Sequence, residues 1–136
     1  NAEKVVNFLK KHKEVTKVIY STEHEKKIAD RAKQYLKGGN GPMVGIELKG
    51  GIEAGKKFIE SLKMFYHVAN IGDARSLAIH PASTTHSQLN EKELAASGVT
   101  QSYVRLCIGI EHIDDIIDDL DQALNKSSKG SLKAVS

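Results

Sequence analysis

The sequence is short of cysteine, of aromatic residues and of long apolar runs. Its single cysteine, Cys107, cannot build a disulfide framework, and without a C-x-x-C pair a structural zinc site is not expected. No apolar run approaches the roughly 20 residues of a membrane span, and no signal-peptide pattern stands at the start. These absences favour a protein of the reducing cytoplasm that does not bind a membrane.

Strong charge of one sign is also missing. The formal net charge is +3 for 136 residues, and lysines and arginines are scattered among acidic residues along the predicted helix faces. Such a distribution argues for solubility and against a nucleic-acid partner. A chain of this length forms one domain with its own core and is too short for two.

Hydrophobic periodicity predicts a mixture of helices and strands. Helices are predicted over 2–12, 24–36, 53–63, 91–97 and 112–124, and strands over 15–20, 43–48, 76–79 and 103–110. This order, without an internal repeat, predicts a two-layer α+β domain with helices on one face of a mostly antiparallel sheet. We expect this domain to span residues 1–125, and residues 126–136, rich in Ser, Lys and Gly, to form a flexible tail.

Residues 50–57 imitate a phosphate-binding loop. They match G-x-x-x-x-G-K between a predicted strand and a predicted helix. A working loop needs Ser or Thr at the next position to hold magnesium, and this chain has Lys57 there. The pattern is therefore better explained as a strand-to-helix turn, with nucleotide binding as a weak alternative.

Histidines and aspartates suggest metal binding but do not support it. His24 lacks the second histidine of a zinc-protease helix. The acids between 114 and 121 alternate with apolar residues at helical spacing, which predicts that most of them face solvent. We therefore assign no metal ligand.

The remaining polar candidates near the predicted sheet have ordinary structural interpretations. His80 and His86 bracket the Ser/Thr segment 83–85, where they can hydrogen-bond its backbone, although a catalytic histidine stays open. Cys107 lies between Leu106 and Ile108, which predicts a small buried side chain and not a reactive thiol.

Two features point to a ligand site. Residues 70–73, Asn-Ile-Gly-Asp, form a turn signature after an apolar run, and such turns bring polar side chains to the edge of a sheet. Arg105 interrupts the apolar strand 103–110. Its guanidinium either lies on the solvated face of that strand or turns inward to meet an anion.

The sequence words around these residues resemble one family. They are GDARSL at 72–77, HPASTTH at 80–86, GV at 98–99, VRLCIGIEHIDDIIDDL at 104–120 and, upstream, GIEAGKKFIESLKMF at 51–65. Together they resemble the C-terminal region of the O-acetylhomoserine sulfhydrylases (O-acetylhomoserine aminocarboxypropyltransferases), within the Cys/Met-metabolism family of enzymes that use pyridoxal phosphate. The resemblance covers most of the chain.

The resemblance implies a fold and an activity. The fold is the small C-terminal domain of the aspartate-aminotransferase-like transferases. The activity is γ-replacement in methionine biosynthesis, in which O-acetylhomoserine and sulfide, or a small thiol, give homocysteine, or methionine, and acetate. Because relatives are tetramers, the resemblance also implies a homo-oligomer, a tetramer, at full length.

It also implies site residues. Arg105 matches the arginine that holds the substrate α-carboxylate, and Asn70 matches the polar residue that assists it, where many relatives have serine. The cofactor lysine and the other cofactor contacts belong to a larger N-terminal domain that this sequence does not contain. We therefore assign no catalytic and no cofactor-binding residue here, and expect the chain alone to bind no cofactor covalently and to be inactive. A free-standing module that binds an amino acid or a protein partner without catalysis is the alternative.

Overall fold

The computed structural model describes residues 1–128, except for the side chain of Glu91. The helices are α1 Ala2–Leu9, α2 Lys26–Tyr35, α3 Gly51–Ser61, α4 Glu91–Ala96 and α5 Ile113–Ser128, and a 3-10 turn spans Pro81–Ser83. The strands are β1 Val15–Ile19, β2 Met43–Leu48, β3 Tyr66–His67, β4 Leu77–Ile79 and β5 Tyr103–Cys107.

The five strands form one sheet in the order β1-β2-β5-β4-β3. All neighbouring strands are antiparallel except β3 and β4, which run parallel. This arrangement confirms the predicted α+β class and the mostly antiparallel sheet. Strand β5, the last of those within residues 1–128, occupies the middle of the sheet.

One face of the sheet forms the core with three helices. Side chains alternate along a strand, so β2 and β5 turn alternate apolar residues towards α1, α3 and α5. The fully buried contributors include Val44, Ile46, Val104 and Leu106 from the strands, and Val5, Leu9, Phe58, Ile116 and Leu120 from the helices. The opposite face carries Tyr103, Arg105 and Cys107 of β5.

Three local expectations differ from the structure. The apolar residues of α2 do not reach the core: only Ala32 is buried, and Tyr35 is 72% exposed. The short parallel strand β3 was not predicted. Helix α5 continues to Ser128, so residues 126–128 are helical and not part of a flexible tail, while 129–136 of the predicted tail lie outside the described residues.

Candidate functional site

Arg105 lies at the middle of the central strand, on the sheet face that the helices leave open. Its register partners are Gly45 on β2 and Ile79 on β4. Burial alternates along β5: Val104 and Leu106 are buried on the core side, and Arg105 is half-buried on the other. Arg105 thus lies on the strand face away from the core and is half-buried there, and its proposed contact with an anion stays a prediction.

The half-buried guanidinium makes few hydrogen bonds within residues 1–128. Its Nη2 donates to the backbone oxygen of Asn70 at 3.1 Å, and its Nε is buried without a hydrogen-bond partner. No carboxylate within residues 1–128 forms an ion pair with it. A partly buried cation without an ionic partner is costly, and a bound anion reduces that cost. The arrangement can therefore bind a carboxylate through the nitrogens that remain available.

Asn70 meets Arg105 through its backbone. The carbonyl oxygen of Asn70 accepts from Arg105 Nη2 and, at 3.5 Å, from the thiol of Cys107. Its side-chain Oδ1 accepts the N–H of Ile71 at 2.9 Å. That bond orients the amide, whose Nδ2 makes no hydrogen bond within the described residues. The structure thus brings the two predicted residues together, by a contact that the sequence did not suggest.

Cys107 supports the same carbonyl from the next position on its face of β5. The side chain is buried, as predicted. Burial raises the pKa of the thiol, although the charge of Arg105 acts in the opposite direction. Cys107 therefore stays a protonated thiol, and its S–H donates a hydrogen bond to the Asn70 carbonyl oxygen. This makes Cys107 a packing residue and not a nucleophile.

His80 is buried, with both ring nitrogens engaged. Nδ1 lies 2.8 Å from the Ser83 hydroxyl, and Nε2 lies 2.8 Å from the carbonyl oxygen of Gln101. Since a carbonyl only accepts, Nε2 carries the proton and Nδ1 accepts from Ser83. Burial lowers the pKa of His80, which favours this neutral form. The ring also packs on α3 at Gly55, where a Cβ would overlap it.

The Ser/Thr segment is held mainly by its own backbone and side chains. The carbonyl oxygen of His80 accepts from the Thr84 hydroxyl at 2.9 Å, and the N–H of His86 donates to Pro81 at 2.9 Å. The His86 ring lies 2.8 Å from the Thr85 hydroxyl. The histidines thus bind side chains of this segment, whereas their rings were predicted to bind its backbone.

The phosphate-loop pattern falls inside a helix. Helix α3 begins at Gly51, so the backbone N–H groups from Gly55 onward serve the helix and do not form an open loop for phosphate. Lys56 Nζ binds Glu53 at 2.9 Å, and Lys57 is exposed. The local geometry does not support nucleotide binding at 50–57.

Among the acids of α5, Asp119 is the exception to the predicted solvent-facing arrangement. Its carboxylate is buried and accepts the backbone N–H groups of Lys63 and Met64 at 2.8 to 3.1 Å, as well as Gln122 Nε2 at 3.0 Å. Asp119 therefore ties the chain after α3 to α5. No group of three or more potential metal ligands occurs within residues 1–128, where no helix is long and apolar enough to cross a membrane either.

Two residues near the site were not recognised from sequence, Ser76 and Glu111. They connect the segment that carries Asn70 to the end of β5 through short hydrogen bonds. Each is a common residue type in a short word, so no local signal marks them. Only the fold shows that segments 35 residues apart meet there.

Comparison with known proteins gives a consistent result. The profile of the family described as "Cys/Met metabolism PLP-dependent enzyme" matches residues 1–125. The O-acetyl-L-homoserine sulfhydrylase of Leptospira meyeri is 51% identical over 125 residues, which are 91% of this chain and 28% of that protein.

Two solved structures are similar in fold. A putative O-acetylhomoserine (thiol)-lyase from Campylobacter jejuni, which carries a pyridoxyl-lysine phosphate residue, superposes with a TM-score of 0.81 and 42% identity over 91% of this chain and 30% of its own. Cystathionine gamma synthase from Xanthomonas oryzae, in complex with aminoacrylate and cysteine, gives 0.80 and 30% identity over 94% of this chain and 33% of its own. The chain thus spans about a third or less of these relatives.

Proposed function

The chain belongs to the family of Cys/Met metabolism PLP-dependent enzymes, and on that premise we propose that it holds the α-carboxylate of the amino-acid substrate in an O-acetylhomoserine sulfhydrylase. The proposed reaction is γ-replacement: O-acetylhomoserine and sulfide, or a small thiol, give homocysteine, or methionine, and acetate. In this proposal Arg105 binds the carboxylate and Asn70 assists it.

The observation that carries this proposal is the unsatisfied guanidinium of Arg105. It is half-buried, has no carboxylate partner within residues 1–128, and keeps its Nε donor unbonded. A guanidinium stays charged at any working pH and offers parallel N–H groups that match the two oxygens of a carboxylate. The similar cystathionine gamma synthase was solved with aminoacrylate and cysteine, two ligands that carry such a carboxylate.

The hydrogen bond from Arg105 to Asn70 gives the site its geometry. Because Nη2 is tied to the backbone of Asn70, the guanidinium plane has a restricted orientation before any ligand arrives. The exposed amide of Asn70 can then donate from Nδ2 to the same carboxylate without adding charge. Fixing one end of a substrate in this way orients its reactive end, an effect that contributes several kcal/mol to catalysis.

We propose no site for pyridoxal phosphate within residues 1–128. Every lysine within this range is exposed or only partly buried, whereas the Campylobacter relative carries its pyridoxyl group on a lysine of a longer chain. We therefore assign no cofactor contact to this part of the protein. Its role in the proposal is limited to binding and orienting the substrate.

Substitution of Arg105 by lysine in the full-length enzyme tests the proposal. Lysine keeps the charge but not the paired N–H groups, and losing a hydrogen bond to a charged group costs about 1.5 to 3 kcal/mol. We expect kcat/KM for O-acetylhomoserine to fall about 10- to 100-fold, and cofactor content, measured by absorbance, to stay unchanged.

The matched control is Arg31→Lys on the exposed face of α2, which should leave kcat/KM unaltered. An Arg105→Lys enzyme with the catalytic efficiency of the parent would remove Arg105 from the site. Loss of cofactor together with activity would mean that the substitution disturbs the enzyme more widely than the proposal allows.

A further inference from the structure

The proposed carboxylate clamp consists of Arg105 and Asn70, which lie on two chain segments whose relative position must be fixed. Asn70 belongs to the segment between β3 and β4, and Arg105 belongs to β5. The direct bond between them, 3.1 Å from Nη2 to the Asn70 oxygen, leaves from a side chain that must also bind the substrate. A second set of hydrogen bonds, made between protein groups alone, holds the same two segments together a few residues further along the chain.

Ser76 and Glu111 form the centre of that second set. One carboxylate oxygen of Glu111 accepts the backbone N–H of Ser76 at 2.6 Å, and the other accepts the Ser76 hydroxyl at 2.9 Å. The Ser76 hydroxyl in turn accepts the N–H of Gly109 at 2.9 Å. Ser76 is fully buried. Glu111 forms no ion pair within residues 1–128, so its carboxylate is balanced there by hydrogen-bond donors.

The backbone around this carboxylate is packed too closely for a side chain at residue 109. The N–H of Ile110 donates to the carbonyl oxygen of Ala74 at 2.9 Å. A Cβ built at Gly109 would lie 2.5 Å from that same oxygen, well inside contact distance. The segment before β4 is therefore pressed directly against the chain that leaves β5.

We propose that Glu111 is a positioning residue for the carboxylate clamp: by holding Ser76 against the end of β5, it sets the distance between Asn70 and Arg105. This inference rests on the proposed function of Arg105. Glu111 does not touch the substrate, and it acts through the backbone between residues 70 and 76. Its loss loosens the approach of Asn70 to the guanidinium, which weakens binding of the substrate acid before it affects later steps.

The test uses the full-length enzyme with Glu111→Ala and the milder Glu111→Gln, which keeps one oxygen acceptor. We expect Glu111→Ala to raise KM for O-acetylhomoserine about tenfold, the size expected if the displaced Asn70 amide no longer donates its hydrogen bond to the substrate carboxylate. Glu111→Gln should give a smaller rise, about threefold, because half of the contact survives. The kcat of both variants should stay within about twofold of the parent, since a carboxylate that is bound still pairs with Arg105 and keeps its orientation.

A double-mutant cycle with Arg105→Lys separates positioning from general stability. If Glu111 acts through the clamp, Glu111→Ala should raise KM by less than about twofold once Arg105 is lysine. An undiminished effect in that background would show a structural role independent of the clamp and would overturn the inference. The control, Glu60→Ala on the exposed face of α3, should change neither KM nor stability.

The two proposals fail in different ways. If Arg105→Lys leaves KM and kcat/KM unchanged, the function proposed for Arg105 is wrong and this inference falls with it. If Arg105→Lys is damaging but folded Glu111→Gln and Glu111→Ala enzymes keep the parent KM, the clamp stands and only the role of Glu111 is wrong.

Discussion

Individual side chains in this domain differ in how many of their hydrogen-bond donors and acceptors stay free. Arg105 uses one nitrogen and keeps another buried and unbonded. His80 has both ring nitrogens in hydrogen bonds and lies almost fully buried. A group whose donors and acceptors are all taken cannot exchange protons with a ligand unless it first breaks those bonds. The open hypothesis of a catalytic histidine is therefore disfavoured for His80, whereas Arg105 remains equipped to bind.

The neutral state of His80 predicts a pH dependence of stability. Its pKa in the folded chain is lowered, by burial first, from an ordinary value of 6.5, so the unfolded chain takes up the proton more readily. The contribution of His80 is then fully present above about pH 6.5 and is lost as the pH falls through the lower folded-state pKa. We expect the free energy of unfolding to decrease over that window.

Denaturant unfolding at several pH values below 7 measures this effect. Replacing His80 by glutamine, which can still donate to Gln101 but does not titrate, should flatten that part of the profile. The exposed His24 provides the control, since His24→Gln should leave the slope as it is. If the free energy of unfolding depends on pH equally in the His80→Gln and parent chains, His80 does not cause the loss of stability at low pH.

At the scale of elements, the sequence predicted the five helices and four of the five strands of residues 1–128 to within four residues at each end. β2 is found at the predicted residues 43–48, and α5 begins one residue after its predicted start. The two-residue β3 was missed because it lies on the exposed edge of the sheet and is too short to show a strand period. The pattern of α2 was clear, but amphipathicity alone cannot show whether a helix reaches the core.

The site was predictable only in part, and for a related reason. Arg105 stood out because a charge interrupts an apolar strand, but its proximity to Asn70 depends on a contact across 35 residues of sequence. No local pattern encodes such a contact. Asp119 was equally hidden, because it is one of several acids in a row and only the packing of α3 against α5 separates it from its neighbours.

Asp119 gives a testable difference between adjacent residues on one helix. Asp119→Ala leaves the N–H groups of Lys63 and Met64 without their acceptor, which costs about 1 to 3 kcal/mol for groups withdrawn from water. Its neighbour Asp118 is exposed, so Asp118→Ala should change the free energy of unfolding by less than about 0.5 kcal/mol. Chemical denaturation of both variants measures the comparison. Equal losses would show that the carboxylate of Asp119 does not hold α3 to α5.

For the whole molecule, the decisive feature is that the chain covers only part of the length of its relatives. The chain matches the family profile over residues 1–125 but covers only 28% of the Leptospira enzyme and 30% of the Campylobacter chain. If the proposed function is right, this chain binds one end of the substrate, and we expect no turnover from the chain alone. Its affinity for amino acids is also expected to be modest when part of the pocket wall comes from elsewhere.

Titration of the isolated chain with pyridoxal phosphate tests whether the chain alone binds the cofactor covalently. Because no lysine within residues 1–128 is buried, we expect any absorbance change to be weak, and to disappear on desalting. A stoichiometric band that survives desalting would contradict the expectation that the chain binds no cofactor covalently. Tight binding of methionine by the same chain would instead favour a free-standing amino-acid-binding module.

The strand order has a consequence for how the polypeptide is made. Strands β1 and β2 pair with each other, as do β3 and β4, and the two pairs meet only through β5. We expect the first four strands to leave the ribosome before they can join one sheet, with unpaired edges that can associate with another nascent chain. Only when residues 103–107 have emerged can the two pairs close into one sheet. The strand that carries Arg105 is therefore also the one that ends this vulnerable period.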